Sequence, residues 1–426
     1  MTLSIAILLL AGINHFIGRS WYYPPTVFCV IWGIVLMLIA SLGTIYYPVA
    51  QQIQVFYFLG ALAFSIGGFF SVPFMERKKR GNNSVLPMDG ETRRVVMRSK
   101  KLIICLVLFL IVMLPIYITH LEELAKTAPG PNFFYAVRMA QLNRTMNEQI
   151  PIIENLSTLS MIIALIAWRQ MIKFRIGISY ALIAALVAIC YNALTGGRFG
   201  VAFIVICISG MTLLKLKRGD WKILLTIGSS FVAVMGAIAI FLNKFGANTS
   251  LGFAGNIYPV LIGFITYAIS GTIAFGHVVS HPGSVPAHWD MWVFFKHIAN
   301  MLGMNFKLFN SVSEPYTYVG PGISTNVYTI YFSYWPQYGI AGTLYIMTIL
   351  GFFTSIIYWL ARRGYMLAIP FYGVVLFAVL LSPYSEYFFM PLGFYIRILI
   401  TILAFDILVK SHFVLKKSTT ISKAPS

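Results

Sequence analysis

The sequence predicts an all-α integral membrane protein with about eleven spanning helices and a long structured outer loop. Three observations lead there. Of 426 residues, 59% are hydrophobic and only 10% charged, an excess that a water-soluble core of this size does not need. Apolar runs of roughly 17 to 25 residues, the length that crosses a bilayer as a helix, recur along the chain. The connections between those runs alternate between strongly basic and poorly charged.

The runs fall at approximately 2–18, 26–47, 55–75, 102–120, 156–172, 176–194, 199–214, 223–243, 339–360, 367–383 and 391–409. The first, MTLSIAILLLAGINHFIG, has no basic leading stretch and no small-residue cleavage site, so it reads as a retained helix rather than a signal peptide. The formal charge of +19 raises the question of nucleic acid, and the topology answers it. Basic residues crowd into ERKKRGNNSVLPMDGETRRVVMRSKK, KFR, KLKRGDWK, ARRG and KSHFVLKK. With Arg19, Arg169 and Lys423, that side carries 23 Lys and Arg against 5 acids, while the other carries 8 against 7. The excess marks the cytoplasmic side by the positive-inside bias. The N-terminus is then outside and the C-terminus inside, and no nucleic-acid partner is implied. Cys29, Cys105, Cys190 and Cys207 all lie in apolar runs and read as packing residues.

Two connections break the pattern of short loops, both on the outer side, at 120–155 and 243–338. In the first, PGP marks a turn and YAVRMAQLNRTMNE reads as a short amphipathic helix. The second is too long to lack structure of its own. Within it, IYPVLIGFITYAISGTIAFG (257–276) is apolar enough to cross, but one further crossing would put Arg362, Arg363 and the basic tail outside. A re-entrant or surface-lying helix is therefore expected there. HWDMWVFFKHIANMLGM is amphipathic and rich in aromatics, suited to the membrane interface.

Candidate chemistry sits at this outer side. In TGGRFG, Gly196 and Gly197 offer backbone N–H groups at the start of a helix beside the Arg198 guanidinium, a combination that cradles phosphate; the competing reading is an interfacial arginine in a tight hairpin. Arg397, six residues past Pro391, stands about 9 Å into the last span at 1.5 Å per residue. It serves either as a second anion ligand or as a snorkelling side chain. Glu386, just before that span, is either a structural ion-pair partner for Arg397 or a general base. Glu314 and His281 are further candidate bases, an imidazole titrating near neutral pH. His277 and His281 have i, i+4 spacing but no obvious third ligand, and no DxD or ExD pair occurs, so no metal is expected. Aromatics beside amides, among them Tyr316, Asn326, Tyr328 and Trp335, suit either a membrane-interface belt or sugar rings stacked on aromatic faces.

The segment STNVYTIYFSYWPQYGIAGTLYIMTILGFFTSIIYW resembles the C-terminal signature of the oligosaccharide repeat unit polymerase (O-antigen polymerase) family. TGGRFG is similar to that family's TGSRG-type turn, with Gly197 in place of serine. Gln337 stands where the family often has aspartate. The likeness covers roughly residues 190–360. It implies a GT-C-type glycosyltransferase in the bacterial inner membrane, working on the periplasmic face without a cofactor. Its substrates would be undecaprenyl diphosphate-linked oligosaccharides, and its neighbours membrane lipids, a chain-length regulator and other glycan-assembly proteins. Arg198, Arg397, Gly196 and Gly197 would then bind diphosphate. Glu386, Glu314 or His281 would take the acceptor proton, and Asn326, Tyr328, Tyr316 and Trp335 would hold sugar. A lipid-linked oligosaccharide flippase and an O-antigen ligase are the alternative readings.

Overall fold

The computed structural model describes residues 1–74, 90–128, 130, 132–143, 151–174, 177–195, 198–214, 229, 236–237, 240, 252–281, 291–306 and 316–421. Among them the helices are α1 (Thr2–Gly18), α2 (Pro24–Ser41), α3 (Gln51–Phe70), α4 (Gly90–Ala125), α5 (Phe133–Asn143), α6 (Pro151–Phe174), α7 (Ile178–Leu194), α8 (Arg198–Leu213), α9 (Gly252–Ser280), α10 (Val293–Met301), α11 (Trp335–Arg362), α12 (Ala368–Leu380) and α13 (Leu392–Ile421). Segments of α2, α3, α4, α6, α9, α11 and α13 are long and apolar enough to cross a membrane, and α1, α7, α8 and α12 are shorter apolar helices. The chain is thus built as a multi-pass membrane protein. The expected run at 223–243 lies almost wholly outside the described residues.

Two compact units are formed, one from Met1–Arg77 and Ala239–Gly393, the other from Lys78–Ile238 and Phe394–Ser426. In the first unit, polar side chains gather helix ends that the charge pattern assigns to one side. Tyr23 Oη, at the start of α2, donates to Gly68 O near the end of α3 at 2.7 Å. Trp359 Nε1, at the end of α11, donates to Ser71 Oγ at 3.1 Å, and Tyr372 Oη of α12 to Tyr22 O at 2.5 Å. Arg363 reaches the carbonyl of Phe74. Consecutive helices therefore alternate in direction, with Arg19, Arg362 and Arg363 sharing one end. The tightest pairing is α3 with α11: a Cβ on Gly67 would meet the backbone of Thr348, and one on Gly351 the backbone of Phe64. Small residues allow this backbone approach, which is how helices associate where lipid is as apolar as their side chains.

At the opposite end of this unit, β1 (Thr317–Gly320) and β2 (Ile323–Thr325) form an antiparallel hairpin. Tyr47 N donates to Val319 O at 2.8 Å, which ties the hairpin to the chain following α2. The sequence gives no alternation strong enough to announce it. Residues 257–276 also differ from expectation. They belong to one continuous helix of 29 residues, with residues 269–276 buried, rather than to a short re-entrant or surface segment. The reason is its polar and small side: Thr266 Oγ1 pairs with Tyr46 Oη at 2.7 Å, Tyr57 Oη donates to Thr272 O at 2.6 Å, and Gly271 lets Pro383 O approach. These contacts make α9 a core helix.

In the second unit α6, α7 and α8 pack on one another, and α6 and α7 also pack on α4. Asn192, near the end of α7, donates to Ser157 O near the start of α6 at 3.4 Å. Trp168 Nε1, toward the end of α6, donates to Thr212 Oγ1 of α8 at 2.9 Å. So α6 and α8 run the same way and α7 runs back between them. Helix α4 begins at Gly90, earlier than the apolar run, because the basic stretch from Arg93 to Lys101 continues as helix.

Candidate functional site

In the second unit three helices begin at the same end. Asn155, in the first turns of α6, accepts a hydrogen bond from Arg397 Nη1 of α13 at 3.0 Å. Phe394, one turn before Arg397, packs edge-on against Phe199 and Phe203 of α8, ring centroids 6.4 and 5.0 Å apart. Arg198 is the first residue of α8. The N-termini of α6, α8 and α13 thus converge around Arg397, which is exposed. Each helix start carries partial positive charge from its aligned peptide dipoles, and together with a guanidinium they form an anion-attracting end. Gly196 and Gly197 lie outside the described residues. The sequence logic of TGGRFG is clearest at Gly200, where a Cβ would collide with Asn192 Oδ1. That glycine lets α8 start tight against the end of α7.

A second polar contact locks α13 to α6. Arg169 is fully buried and holds Asp406 through two hydrogen bonds, Nη1 to Oδ2 at 3.0 Å and Nη2 to Oδ1 at 2.5 Å. With Asn155–Arg397 this makes the two helices parallel. The contact points lie about 21 Å apart along α6 and about 14 Å along α13 at 1.5 Å per residue, a difference that the long arginine side chains absorb. Sequence reasoning counted Arg169 and Asp406 only as charges of the cytoplasmic side. The signal available was their place at the ends of apolar runs, where an ionised group needs a partner.

In the first unit, one stretch of the segment that carries the family resemblance is buried. Tyr328 through Tyr334 have little or no exposure. Residues 330–333 form one 3₁₀ turn, with Ile330 N donating to Ser382 O at 2.9 Å. Tyr331 lies among Trp32, Phe56, Tyr57 and Phe275. Irregular backbone within a helical bundle persists only where protein or a cavity satisfies its polar groups. Glu386 does the same for the backbone that leads into α13, and it also holds the Tyr334 side chain. It is 2% exposed, and its Oε1 accepts from Tyr334 Oη at 2.9 Å, Phe388 N at 2.6 Å and Phe389 N at 2.9 Å. Its Oε2 accepts from Phe389 N at 3.1 Å and Met390 N at 2.7 Å. Burial pushes the carboxyl above its ordinary range, opposed by the backbone donors of Met390, Phe389 and Phe388 and then by Tyr334. The Tyr334 hydroxyl is pushed well up, first by burial and then by the charge of Glu386. The arrangement is an anchor: it spends the lone pairs that a base would need on the backbone leading into α13.

The other expected residues divide by exposure. Tyr316 is 71% exposed, whereas Tyr328 is 3% exposed, stacked on Phe332 at 4.3 Å with its hydroxyl paired to Thr317 Oγ1 at 2.7 Å. Tyr328 therefore offers no open face to a sugar, because residues 328–334 fold inward and not along the surface. Asn326 and Trp335 are half-buried, Trp335 edge-on to Phe275. His281 is exposed at the end of α9, its ring stacked on that of His277 at 4.6 Å and its Nδ1 3.2 Å from His277 O. Glu314 lies outside the described residues. Among the described residues no three His, Cys, Asp or Glu gather as metal ligands. No family model, curated protein or solved structure matches the chain.

Proposed function

We propose that the chain is a membrane glycosyltransferase of the GT-C type that polymerises lipid-linked oligosaccharide repeat units on the periplasmic face of a bacterial inner membrane. It transfers the growing glycan from undecaprenyl diphosphate to the non-reducing end of a new lipid-linked unit. The observation that carries the reading is the convergence of the α6, α8 and α13 N-termini around Arg397. The departing diphosphate gains negative charge, and fixed donors and a guanidinium lower the energy of that charge where it develops. Arg198, with Gly196 and Gly197, joins Arg397 in this role by the resemblance of TGGRFG. By the resemblance, a single displacement at the anomeric carbon inverts it, and His281 or Glu314 is the candidate to take the acceptor proton. Glu386 acts as a positioning residue that holds Tyr334 and the turn into α13, and by the resemblance the exposed Tyr316 offers a sugar-stacking face.

Arg397→Ala is expected to lower turnover by about 10²-fold or more, on the scale of losing one transition-state donor. Arg397→Lys should recover only part, because a point charge does not reproduce the planar fork. Turnover within threefold of wild type in folded Arg397→Ala protein would remove the arginine from the reaction. A flippase is the second reading, and the buried Arg169–Asp406 pair favours it, since ion pairs among membrane helices often mark transport pathways. Loss of the gene separates the readings: a polymerase defect leaves a surface glycan capped with one repeat, a flippase defect leaves none, and a ligase defect strands full-length polymer on its lipid carrier.

A further inference from the structure

The helix α10 has no buried residue, although it contains Val293, Phe294, Phe295, Ile298 and Met301. Trp292, Phe295, Ile298 and Leu302 are exposed by 46%, 47%, 41% and 75%. At 100° per residue they occupy one face, with His297 and Asn300 on the other. Six of its nine residues are half-buried, and the exposed apolar face that remains is unfavourable in water, which points to a further phase covering it.

Two contacts show where that phase lies. Trp292 Nε1 donates to Tyr338 Oη at 2.5 Å, at the beginning of α11. A Cβ on Gly393, at the beginning of α13, would touch the Phe294 ring at 3.3 Å. Helix α11 contains a segment long and apolar enough to cross a membrane, and α10 is pinned to its first turn and to Gly393 of the same unit. Exposed Ile340 and Tyr345 continue the apolar surface down α11. The far end of α10 is closed on itself: Met304 N donates to Ala299 O at 3.0 Å, Gly303 adopts φ +90°, and the Asn300 side chain makes two hydrogen bonds to Phe306. This ending turns the chain back and leaves Met301, Leu302, Met304 and Phe306 exposed beside the same face.

We propose that α10 lies in the plane of the bilayer, with Phe295, Ile298 and Leu302 sunk among the acyl chains of the leaflet where α11 begins. The occupant of its apolar face is membrane lipid, by continuity with the exposed apolar surface of that span. Tyr338 precedes Gly339, whose φ of 61° and ψ of −165° break α11, so lipid contact at α10 also steadies the short turn Trp335–Tyr338. The proposal does not depend on the chemistry proposed above.

Single-cysteine variants at Phe295, Ile298 and His297, made in full-length protein with Cys29, Cys105, Cys190 and Cys207 replaced, carry a nitroxide in phospholipid vesicles. Collisions with dissolved oxygen and with a water-soluble nickel chelate report depth. Phe295 and Ile298 should show oxygen-to-nickel ratios severalfold above that of His297. Equal ratios overturn the proposal, as does exclusion of both quenchers at Phe295 and Ile298, which would mean that protein covers the face. As an independent measurement, a benzophenone side chain at Leu302 in otherwise native protein should give a phospholipid adduct on illumination; a chain-to-chain adduct alone would refute lipid as the occupant.

Discussion

Replacing Glu386 by glutamine tests the buried anchor most directly, because the side chain keeps its shape and changes only what it accepts. In the wild-type protein Oε1 serves three donors and Oε2 two, with Phe389 N shared between them. Glutamine must place an amino group at one position. Set in place of Oε1, it loses Phe388 N and faces the hydroxyl of Tyr334. Set in place of Oε2, it faces the N–H of Met390, while Phe389 keeps its bond to the remaining oxygen. The second orientation leaves fewer groups orphaned, and one buried unsatisfied donor costs about 1–3 kcal/mol. The sign of the pH dependence follows from the raised carboxyl pKa. The folded state holds the proton more firmly than the unfolded chain, so the wild type has this contribution in full below the ordinary carboxylate range. It loses the contribution as pH rises through the folded-state value. The variant lacks that slope, so its deficit should be greatest in acid and shrink toward neutrality. Thermal unfolding of detergent-solubilised protein, followed by loss of the monodisperse peak over a pH series, reads both effects. Tyr334→Phe should cost less, about 0.5–1.5 kcal/mol, and should couple to Glu386→Gln in a double-mutant cycle. An unchanged unfolding temperature for Glu386→Gln at every pH would refute the anchor.

Two further outcomes are expected from packing. Asp406→Leu alone should destabilise by about 3–5 kcal/mol, since it strands the buried Arg169 charge, whereas Arg169→Met with Asp406→Leu should recover most of the loss. The same thermal assay checks this, and equal stability of the single and double variants would mean that the pair is not a closed unit. Gly200→Ala should cost about 1–3 kcal/mol through its collision with Asn192, and Asn192→Ala in the same chain should relieve it; failure of that rescue would locate the strain elsewhere.

What could be read directly from residue order was the kind of solvent each stretch meets. Apolar runs announced α1, α7 and α8 to within two residues of their ends, and α2, α3, α6 and α11 to within about six, because burial in lipid demands a length and composition that are local properties. Within the first unit the alternation of direction was also legible, since the basic residues Arg19, Arg362 and Arg363 mark one end of its helices. Partner choice was not. Tyr316 and Tyr328 are the same residue type twelve positions apart in one aromatic stretch, yet one is exposed and the other buried. Arg169 and Asp406 stand 237 residues apart, and nothing near either names the other. Glu386 was visible as an acid before a helix, but whether its oxygens faced water, an arginine or a nest of backbone N–H groups depended on how the chain turned at Phe388 to Met390. Hydrophobicity is summed along the chain and so is written in composition. Hydrogen bonds and close approaches are directional and short in range, so only the folded backbone could decide which groups would meet.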